Sequence, residues 1–433
     1  MRLLLTRYFC IRLKKQNLVN KDTKAYLGIP ILGQLLSLFP RSIFNDSVTE
    51  SDSDSAHRTV STWAQFVYIS YGVLTGSSSL REIYKNLEML GDRISHLGLS
   101  EIPARSSISD ANRSRESAVF GLFYMKLYKH FKGYLSDSYL KGLINGEVSP
   151  SQVHIFDSTT ISLFKDIFKN TGRTPKNGQA KGGIKAFTKI ILGERVPNFI
   201  CLKAAATNEK LFLKSMELAK GTIAVFDKGF QKFTQYAEWT QAGVFFVTLL
   251  NENGKFKILK INPLEEIRED GVIQDAQIEL SFYSKEEKQR KTVEVRMIAY
   301  IDPITGERFA FITNLFTLKA MTISLLYKNR WVIEPLFRQI KQNFELTYFL
   351  SDSQEGIKTQ IWIAMILNLI FTAVYKMIGE ALDFSTMVKL AAKNLYSYVN
   401  YIRFLKKPEI LKRQKPQNHQ KVQYNLFPKI DGG

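Results

Sequence analysis

The sequence predicts a mixed α/β protein that is helical at both ends, with strands at its centre and an all-β insertion. Apolar residues recur with a helical period in residues 62–74, 79–90 and 107–134. Five short β-branched or aromatic runs follow, in residues 153–158, 184–192, 198–205, 222–226 and 244–250. Residues 251–314 instead contain alternating runs separated by turns, and helical patterns resume at residue 318.

These patterns divide the chain into five parts. Strands followed by strand–helix alternation indicate a mixed α/β sheet. The parts are a helical region, the first part of the α/β core, a β-rich insertion, a helical region that completes the core, and a basic tail, in residues 1–147, 148–250, 251–316, 317–405 and 406–433. The Pro- and Gln-rich tail is expected to be poorly ordered.

The chain is strongly basic. Its 433 residues include 60 Lys and Arg against 40 Asp and Glu, a formal net charge of +20. This excess indicates a polyanionic partner, nucleic acid before membrane, and residues 1–147 are the candidate DNA-binding region. The alternative is that the charge serves only solubility. Within that region, Arg105, Arg113 and Arg115 either contact phosphates or form a solvated face.

Cysteine and histidine usage argues against a disulfide framework and a zinc site. The two cysteines are far apart in sequence, and the five histidines show no metal-ligand spacing. The long apolar run in residues 361–378 is interrupted by polar residues, so it predicts a buried core helix rather than a membrane span. A cytoplasmic protein without zinc fits best.

Two aspartates follow apolar strand patterns. Asp157 ends the run that begins at Val153, and Asp227 ends the run that begins at Thr222. A charge beside a hydrophobic strand costs free energy unless it is paired or binds a cation. Each pattern therefore predicts a strand whose C-terminal end places one carboxylate at the start of a loop. The alternative for each aspartate alone is a strand-end cap or an Asx-turn.

A third carboxylate lies in the most informative stretch of the chain. On a helix, one stripe about 60° wide would contain four of its side chains, Tyr327, Arg330, Glu334 and Lys341. A lone carboxylate flanked by Arg, Lys and Tyr suits a metal-bound phosphodiester. The alternative is an amphipathic surface helix with incidental ion pairs. Pro335 disfavours helical geometry at Glu334, so we expect a kink there or a new helix beginning at Pro335.

The three carboxylates together predict a site for hard cations. Oxygen ligands without His or Cys select Mg²⁺ or Mn²⁺, and the candidate ligands are Asp157, Asp227 and Glu334. Two ions about 3.5–4 Å apart would activate water and stabilise the leaving oxygen of an in-line phosphoryl displacement. The metals, rather than a histidine, would lower the pKa of the nucleophile.

At these positions the chain resembles DDE transposases of the insertion-sequence-four (IS-four) family. The family's signature Y-x2-R-x3-E-x6-K is matched in full by Tyr327, Arg330, Glu334 and Lys341. Its D-S-T and D-[RK]-G-[YF] elements are matched at Asp157 and Asp227. The two aspartates are 70 residues apart and the glutamate follows 107 residues later, which suits the family's long β-rich insertion. The resemblance extends over residues 28–405.

The resemblance implies a ribonuclease-H-like core that cuts DNA at the terminal inverted repeats of an insertion sequence. The 3′-OH produced then attacks target DNA, which gives cut-and-paste transposition. In that scheme two Mg²⁺ ions, with Mn²⁺ as a substitute, are bound by the catalytic residues Asp157, Asp227 and Glu334. DNA phosphates near the cut are held by Tyr327, Arg330 and Lys341.

The same resemblance implies the partners and leaves two alternatives. The expected partners are double-stranded DNA at the element ends and the target, and a second copy of the chain when two ends are synapsed. The expected location is the bacterial cytoplasm, in association with the nucleoid and without a membrane. One alternative is a nuclease on the same fold without strand transfer. The other is a non-catalytic DNA-binding descendant of a transposase.

Overall fold

The computed structural model describes most of the chain. The described residues are 28–56, 59–135, 146–162, 183–205, 207–214, 216–251, 256–263, 271–284 and 288–406. The expected basic tail, apart from its first residue, lies outside these ranges.

The N-terminal region is helical, as predicted. Its helices are α1 (Ile31–Leu36), α2 (Arg41–Glu50), α3 (Thr62–Thr75), α4 (Leu80–Glu88), α5 (Arg105–Ser114) and α6 (Ala118–Leu135). Serine side chains cap the starts of α3 and α4, where Ser61 and Ser79 accept hydrogen bonds from backbone N–H groups in the first turn. The helix predicted over residues 107–134 is instead the pair α5 and α6, because the backbone is extended at Arg115.

A buried arginine fixes the break between α5 and α6. Arg115 is 1% exposed. Its guanidinium donates hydrogen bonds to four partners: Gln65 Oε1 at 2.6 Å, the Val60 carbonyl at 2.6 Å, Asp54 Oδ1 at 3.2 Å and the Ser53 carbonyl at 3.2 Å. A side chain buried and saturated in this way does not reach a phosphate. The interpretation of Arg115 as a DNA contact is therefore wrong.

The described strands form one nine-stranded sheet in the order β3-β2-β1-β4-β5-β9-β8-β7-β6. The first five are the predicted core strands: β1 (Val153–Ser162), β2 (Gly183–Ile191), β3 (Phe199–Ala204), β4 (Ile223–Phe226) and β5 (Phe245–Leu249). β1, β4 and β5 are parallel, whereas β2 is antiparallel to both of its neighbours. The intervening helices are α7 (Glu209–Lys214) and α8 (Phe233–Ala242).

The predicted insertion is strand-rich, but it joins the core sheet instead of forming a sheet of its own. Its strands are β6 (Phe256–Ile261), β7 (Val272–Ser284), β8 (Gln289–Ile301) and β9 (Arg308–Thr313). β9 pairs antiparallel with β5, with Val247 opposite Thr313. The backbone groups of β5 would otherwise be unpaired at a sheet edge, and β9 satisfies them. Strand periodicity does not specify a pairing partner, so the sequence did not predict this junction.

Helices resume after β9, as predicted. They are α9 (Ala320–Lys328), α10 (Ile333–Asn343), α11 (Gln354–Met377), α12 (Phe384–Lys393) and α13 (Tyr401–Leu405). Within the described ranges, α11 alone is long and apolar enough to cross a membrane, and 94% of its most apolar window is buried inside the protein. This burial confirms the prediction of a core helix.

The two faces of the sheet bury separate apolar clusters. Ile155 and Val225 pack in a cluster with residues of α3, α6, α9 and α11. Phe156 and Phe226 belong to a second cluster, with residues of α7 and α8. Since alternate residues of a strand share a face, Asp157 lies on the same side as Ile155, towards the C-terminal helices.

Candidate active site

The first aspartate lies within a strand rather than at its end. Asp157 is the fifth residue of β1, which continues to Ser162 because its antiparallel partner β2 extends alongside, with Asp157 opposite Thr188. The prediction of a strand-end aspartate is therefore wrong. On its other side, however, the ladder with β4 stops at the pair Phe156–Phe226. Asp157 is thus the first residue of β1 beyond its pairing with β4, where the two parallel strands separate.

The second aspartate lies beside the first. Asp227 follows directly after β4 and precedes a short 3-10 helix, Lys228–Phe230, which matches the predicted strand-end position. Phe156 and Phe226 are directly opposite each other in the β1–β4 pairing, and an aspartate follows each of them. Adjacent strands are about 4.8 Å apart, so parallel pairing alone brings these two residues together.

The third carboxylate lies at a helix start, next to a break. α9 ends at Lys328, a 3-10 helix covers Asn329–Val332, and Glu334 is the second residue of α10. Pro335 has no N–H to donate to the Trp331 carbonyl, which accounts for the interruption of regular α-helix. A break beside Glu334 is confirmed, but the new helix begins at Ile333, two residues before Pro335, so Glu334 itself is helical. The single helical stripe is wrong, since its four side chains are distributed over α9, the 3-10 helix and α10.

All six side chains singled out from the sequence nevertheless line one cavity. Its volume is about 830 Å³, and its walls include Asp157, Asp227, Tyr327, Arg330, Glu334 and Lys341. They reach it from β1, the end of β4, and the segment from α9 to α10. Further polar walls, which sequence analysis did not single out, come from Ser158, Thr159, Lys228, Arg338 and Gln342. Arg338 was detectable because it follows Glu334 by one helical turn.

Burial in the cavity disfavours the charged forms of two of its carboxylates. The pKa of Asp157 is raised to about 6, mainly by burial and also by the neighbouring Glu334 and Asp227, against the opposing effects of Arg330 and the Ser158 N–H. Burial also raises the pKa of Glu334. The nearest cation, Arg330, is 3.9 Å from Asp157 (Nη1 to Oδ2). A bound cation would stabilise the charged forms of both carboxylates.

The ligand atoms of the site suit a hard metal ion, but the three carboxylates are too far apart in this structure to coordinate one ion together. The three acidic side chains offer only carboxylate oxygens, which Mg²⁺ and Mn²⁺ prefer. In the part of the chain that the structure describes, no group of three or more His, Cys, Asp or Glu side chains is close enough to hold a metal ion. Like charges repel across the cavity, so an ion would have to draw the carboxylates together.

The three expected DNA-binding residues differ in exposure. Tyr327 is 3% exposed and Arg330 6% exposed. The Tyr327 hydroxyl donates to Asp227 Oδ1 at 3.3 Å, so both buried residues contact an aspartate. Lys341 is exposed and donates to Thr159 Oγ1 at 2.8 Å, which ties α10 to β1. Only Lys341 of the three lies at the surface.

Comparison with known families identifies the class of protein. The family described as "Transposase DDE domain" matches residues 149–369, just over half of the 433 residues. The chain therefore belongs to this family and is a DDE transposase, an enzyme of DNA transposition. A family described as a domain of unknown function (DUF4372) matches residues 27–100.

Individual relatives carry the same description. The proposed transposase y4zB of Sinorhizobium fredii is 26% identical over 273 residues, which span 61% of this chain and 69% of the relative. The proposed transposase of the insertion sequence element IS4SA of Synechocystis is 22% identical over 320 residues, or 71% of this chain and 80% of the relative. These relatives agree with the IS-four resemblance.

The chain is also similar to a solved structure. It is the cryo-EM structure of the piggyBac transposase synaptic complex with hairpin DNA, with a TM-score of 0.45 and 9% identity over 94% of this chain and 87% of that chain.

Proposed function

We propose that this transposase cuts DNA at the terminal inverted repeats of an insertion sequence and joins the released 3′-OH to target DNA. Asp157, Asp227 and Glu334 are the proposed catalytic and metal-binding residues. One observation carries the proposal: three carboxylates from three separate segments reach a single cavity in a strongly basic chain. A ribonuclease-H-like core is supported by the mixed sheet β3-β2-β1-β4-β5, which has Asp157 in its middle strand.

The proposed cofactor is a pair of Mg²⁺ ions, for which Mn²⁺ would substitute. When bound, the ions would activate the attacking oxygen and stabilise the leaving oxygen of the phosphodiester. The protein's own contribution is to hold the three carboxylates in a partly buried cavity, where charges are screened less than in open water. The cavity also limits the number of water molecules near the scissile phosphate.

DNA would be held by cationic side chains at the cavity and its rim. Arg338 and Lys341 are exposed on α10, one and two turns after Glu334, so they face the direction from which a phosphate backbone would approach. Tyr327 and Arg330 are buried, and we propose that they contact only the phosphate at the cut. The wider basic surface would add sequence-independent affinity.

The proposed assembly is a dimer on DNA. Cut-and-paste transposition requires that both ends of the element are held together, so two copies of the chain would be synapsed. The proposed location is the bacterial cytoplasm in association with the nucleoid, where element ends and target DNA are found.

The decisive experiment is incubation of the full chain with the element's own end DNA and Mg²⁺, followed by mapping of the products. We expect cuts at the terminal repeats and joining of the 3′ ends to a target duplex. Glu334→Gln should reduce cutting by more than the ~100-fold that loss of an outer metal-site partner causes. The matched control is Glu238→Gln, which removes an exposed carboxylate on α8 and should leave cutting unchanged.

Other products would contradict specific parts of the proposal. Cutting without joining would favour a nuclease that lacks strand transfer. Specific DNA binding without cutting would favour the non-catalytic descendant. Cutting that persists unchanged in Glu334→Gln would place the active site elsewhere.

A further inference from the structure

Glu209, at the start of α7, links the two segments that carry the catalytic aspartates. Its Oε1 atom accepts a hydrogen bond from Ser158 Oγ at 2.8 Å. Ser158 follows Asp157 directly, and the Ser158 backbone N–H donates to Asp157 Oδ1 at 2.8 Å. The Glu209 carboxylate is therefore connected to Asp157 through one residue.

The other oxygen of the same carboxylate lies against the segment of the second aspartate. A Cβ atom added to Gly229 would be 2.4 Å from Glu209 Oε2, closer than two such atoms can approach. Gly229 lies two residues after Asp227, in the 3-10 helix that follows β4. A side chain at position 229 would force the Glu209 carboxylate to shift, so Glu209 lies against both aspartate-bearing segments.

A buried lysine holds the carboxylate in position. Lys185 of β2 donates to Glu209 Oε1 at 3.0 Å, and the side chains are 6% and 26% exposed respectively. A lysine buried to this extent needs an anionic partner, because an unpaired ammonium group in the interior is costly. The pair therefore restrains the geometry of Glu209 as well as its charge.

Glu209 acts from behind the catalytic face. Phe156 lies on the face of β1 that packs towards α7 and α8, whereas Asp157 points to the opposite face. Ser158 alternates with Asp157 along the strand and also borders the cavity where the sheet opens. Glu209 is not among the residues that line the catalytic cavity. It therefore does not touch the reacting atoms.

We propose that Glu209 is a positioning residue that sets the separation of Asp157 and Asp227 for metal binding. It acts on Asp157 through Ser158 and on Asp227 through Gly229, and Lys185 neutralises its charge. This inference rests on the proposed function, since it assumes that the two aspartates bind metal ions.

The test measures Mn²⁺ affinity of the full chain without DNA, from the electron paramagnetic resonance signal of free Mn²⁺, beside thermal unfolding and DNA cutting. Outer-shell partners of metal ligands contribute roughly 10- to 100-fold to affinity, so Glu209→Ala should weaken Mn²⁺ binding by that amount. Glu209→Asp keeps the charge but withdraws the carboxylate by one methylene, so it should weaken binding too. Glu238→Ala is the control and should change nothing.

A double-mutant cycle separates positioning from a general loss of charge or stability. Gly229→Ala alone should weaken Mn²⁺ binding, because its methyl group displaces the Glu209 carboxylate. In the Glu209→Ala background the same substitution should have little effect, because no carboxylate remains to be displaced. The two effects should therefore be strongly non-additive.

Several results would overturn the inference. Additive effects of Gly229→Ala and Glu209→Ala would do so, as would unchanged Mn²⁺ affinity in folded Glu209→Ala or Glu209→Asp. If Glu209→Ala does not fold, Glu209→Asp takes its place in the cycle: its withdrawn carboxylate leaves room for the methyl group, so Gly229→Ala should again have little further effect. If the wild-type chain binds Mn²⁺ but cuts no DNA, the proposed function is wrong, but the role of Glu209 in metal binding can still hold. If the wild-type chain binds no Mn²⁺, both proposals are wrong.

Discussion

The N-terminal helical region and the cavity with the three carboxylates each contain a buried arginine, and the two are held in opposite ways. Arg115, between α5 and α6, is 1% exposed, and all three of its guanidinium nitrogens donate hydrogen bonds. Arg330 is 6% exposed and lies 3.9 Å from Asp157, and no partner for its buried Nε is found among the described residues. The two arginines are buried to a similar extent, but only the guanidinium of Arg115 has hydrogen-bond partners, within the described part of the chain, for all three of its nitrogens.

The pKa values of the two guanidinium groups move in opposite directions. Burial lowers the pKa of Arg115 to about 10, and Asp54 offsets this only in part. Burial also lowers the pKa of Arg330, but Tyr327, Asp157 and Asp227 outweigh it and raise the pKa above its usual value. A saturated arginine stabilises the fold, whereas an incompletely satisfied one beside carboxylates is suited to bind a ligand.

The largest expected effect is on stability in the N-terminal region. Arg115→Ala should lower the free energy of unfolding by about 3–5 kcal/mol, because it leaves Gln65, Asp54 and the Val60 carbonyl without their donor. Denaturant unfolding measures this. Cutting per folded molecule should be unchanged, and a stable variant with lost cutting would reverse the assignment of the two arginines.

The next effect is on activity. Arg330→Ala should reduce DNA cutting by roughly 10- to 100-fold, because it removes the cation beside Asp157. Its unfolding midpoint should fall less than that of Arg115→Ala, because fewer hydrogen bonds are lost. Arg330→Lys keeps the charge but loses the planar geometry, so it should recover only part of the activity. Full activity in Arg330→Ala would remove this residue from the site.

A smaller effect is expected at the rim of the cavity. Lys341→Ala should weaken binding of end DNA and lower the slope of log affinity against log salt by about 0.9, the value for one released counterion. Titrations at several salt concentrations measure this slope. Gln342→Ala is the matched control, since it removes an exposed neutral neighbour on the same cavity wall. Equal slopes for Lys341→Ala and the wild type would show that Lys341 contacts no phosphate.

The smallest effect is expected at an exposed arginine two residues before Arg115. Arg113 pairs with Asp352 at 3.7 Å, and the two side chains are 66% and 75% exposed. Such surface pairs contribute about 0–1 kcal/mol, so Arg113→Ala should barely shift the unfolding midpoint. If Arg113→Ala lowered the free energy of unfolding as much as Arg115→Ala, burial would not explain why the two arginines differ in their contribution to stability.

Local patterns in the sequence predicted the core strands and the residues of the cavity. β1 to β5 match the five β-branched runs closely, because strand periodicity is set by neighbouring residues. Pro335 likewise predicted the helix break next to Glu334, because the missing N–H is a property of one residue. Asp157 was placed wrongly at a strand end, since the extra length of β1 depends on its partner β2.

Contacts between distant segments were beyond the reach of such patterns. The ion pair between Lys185 and Glu209 depends on how β2 and α7 pack together, and neither residue stands in a motif. The pairing of β9 with β5, which joins the insertion to the core, depends in the same way on which strand edge is left open. Sequence alone therefore did not reveal the residues that support the aspartates from behind.

By itself, the sequence determined the class of the protein, its basic character and six of the side chains that line the cavity. Only the tertiary structure decided that Arg115 is structural, that Tyr327 and Arg330 are buried against the aspartates, and that Glu209 joins the two aspartate-bearing segments. The physical reason is that residue type and spacing specify chemistry locally. Burial and hydrogen-bond satisfaction, in contrast, arise only when distant segments pack against one another.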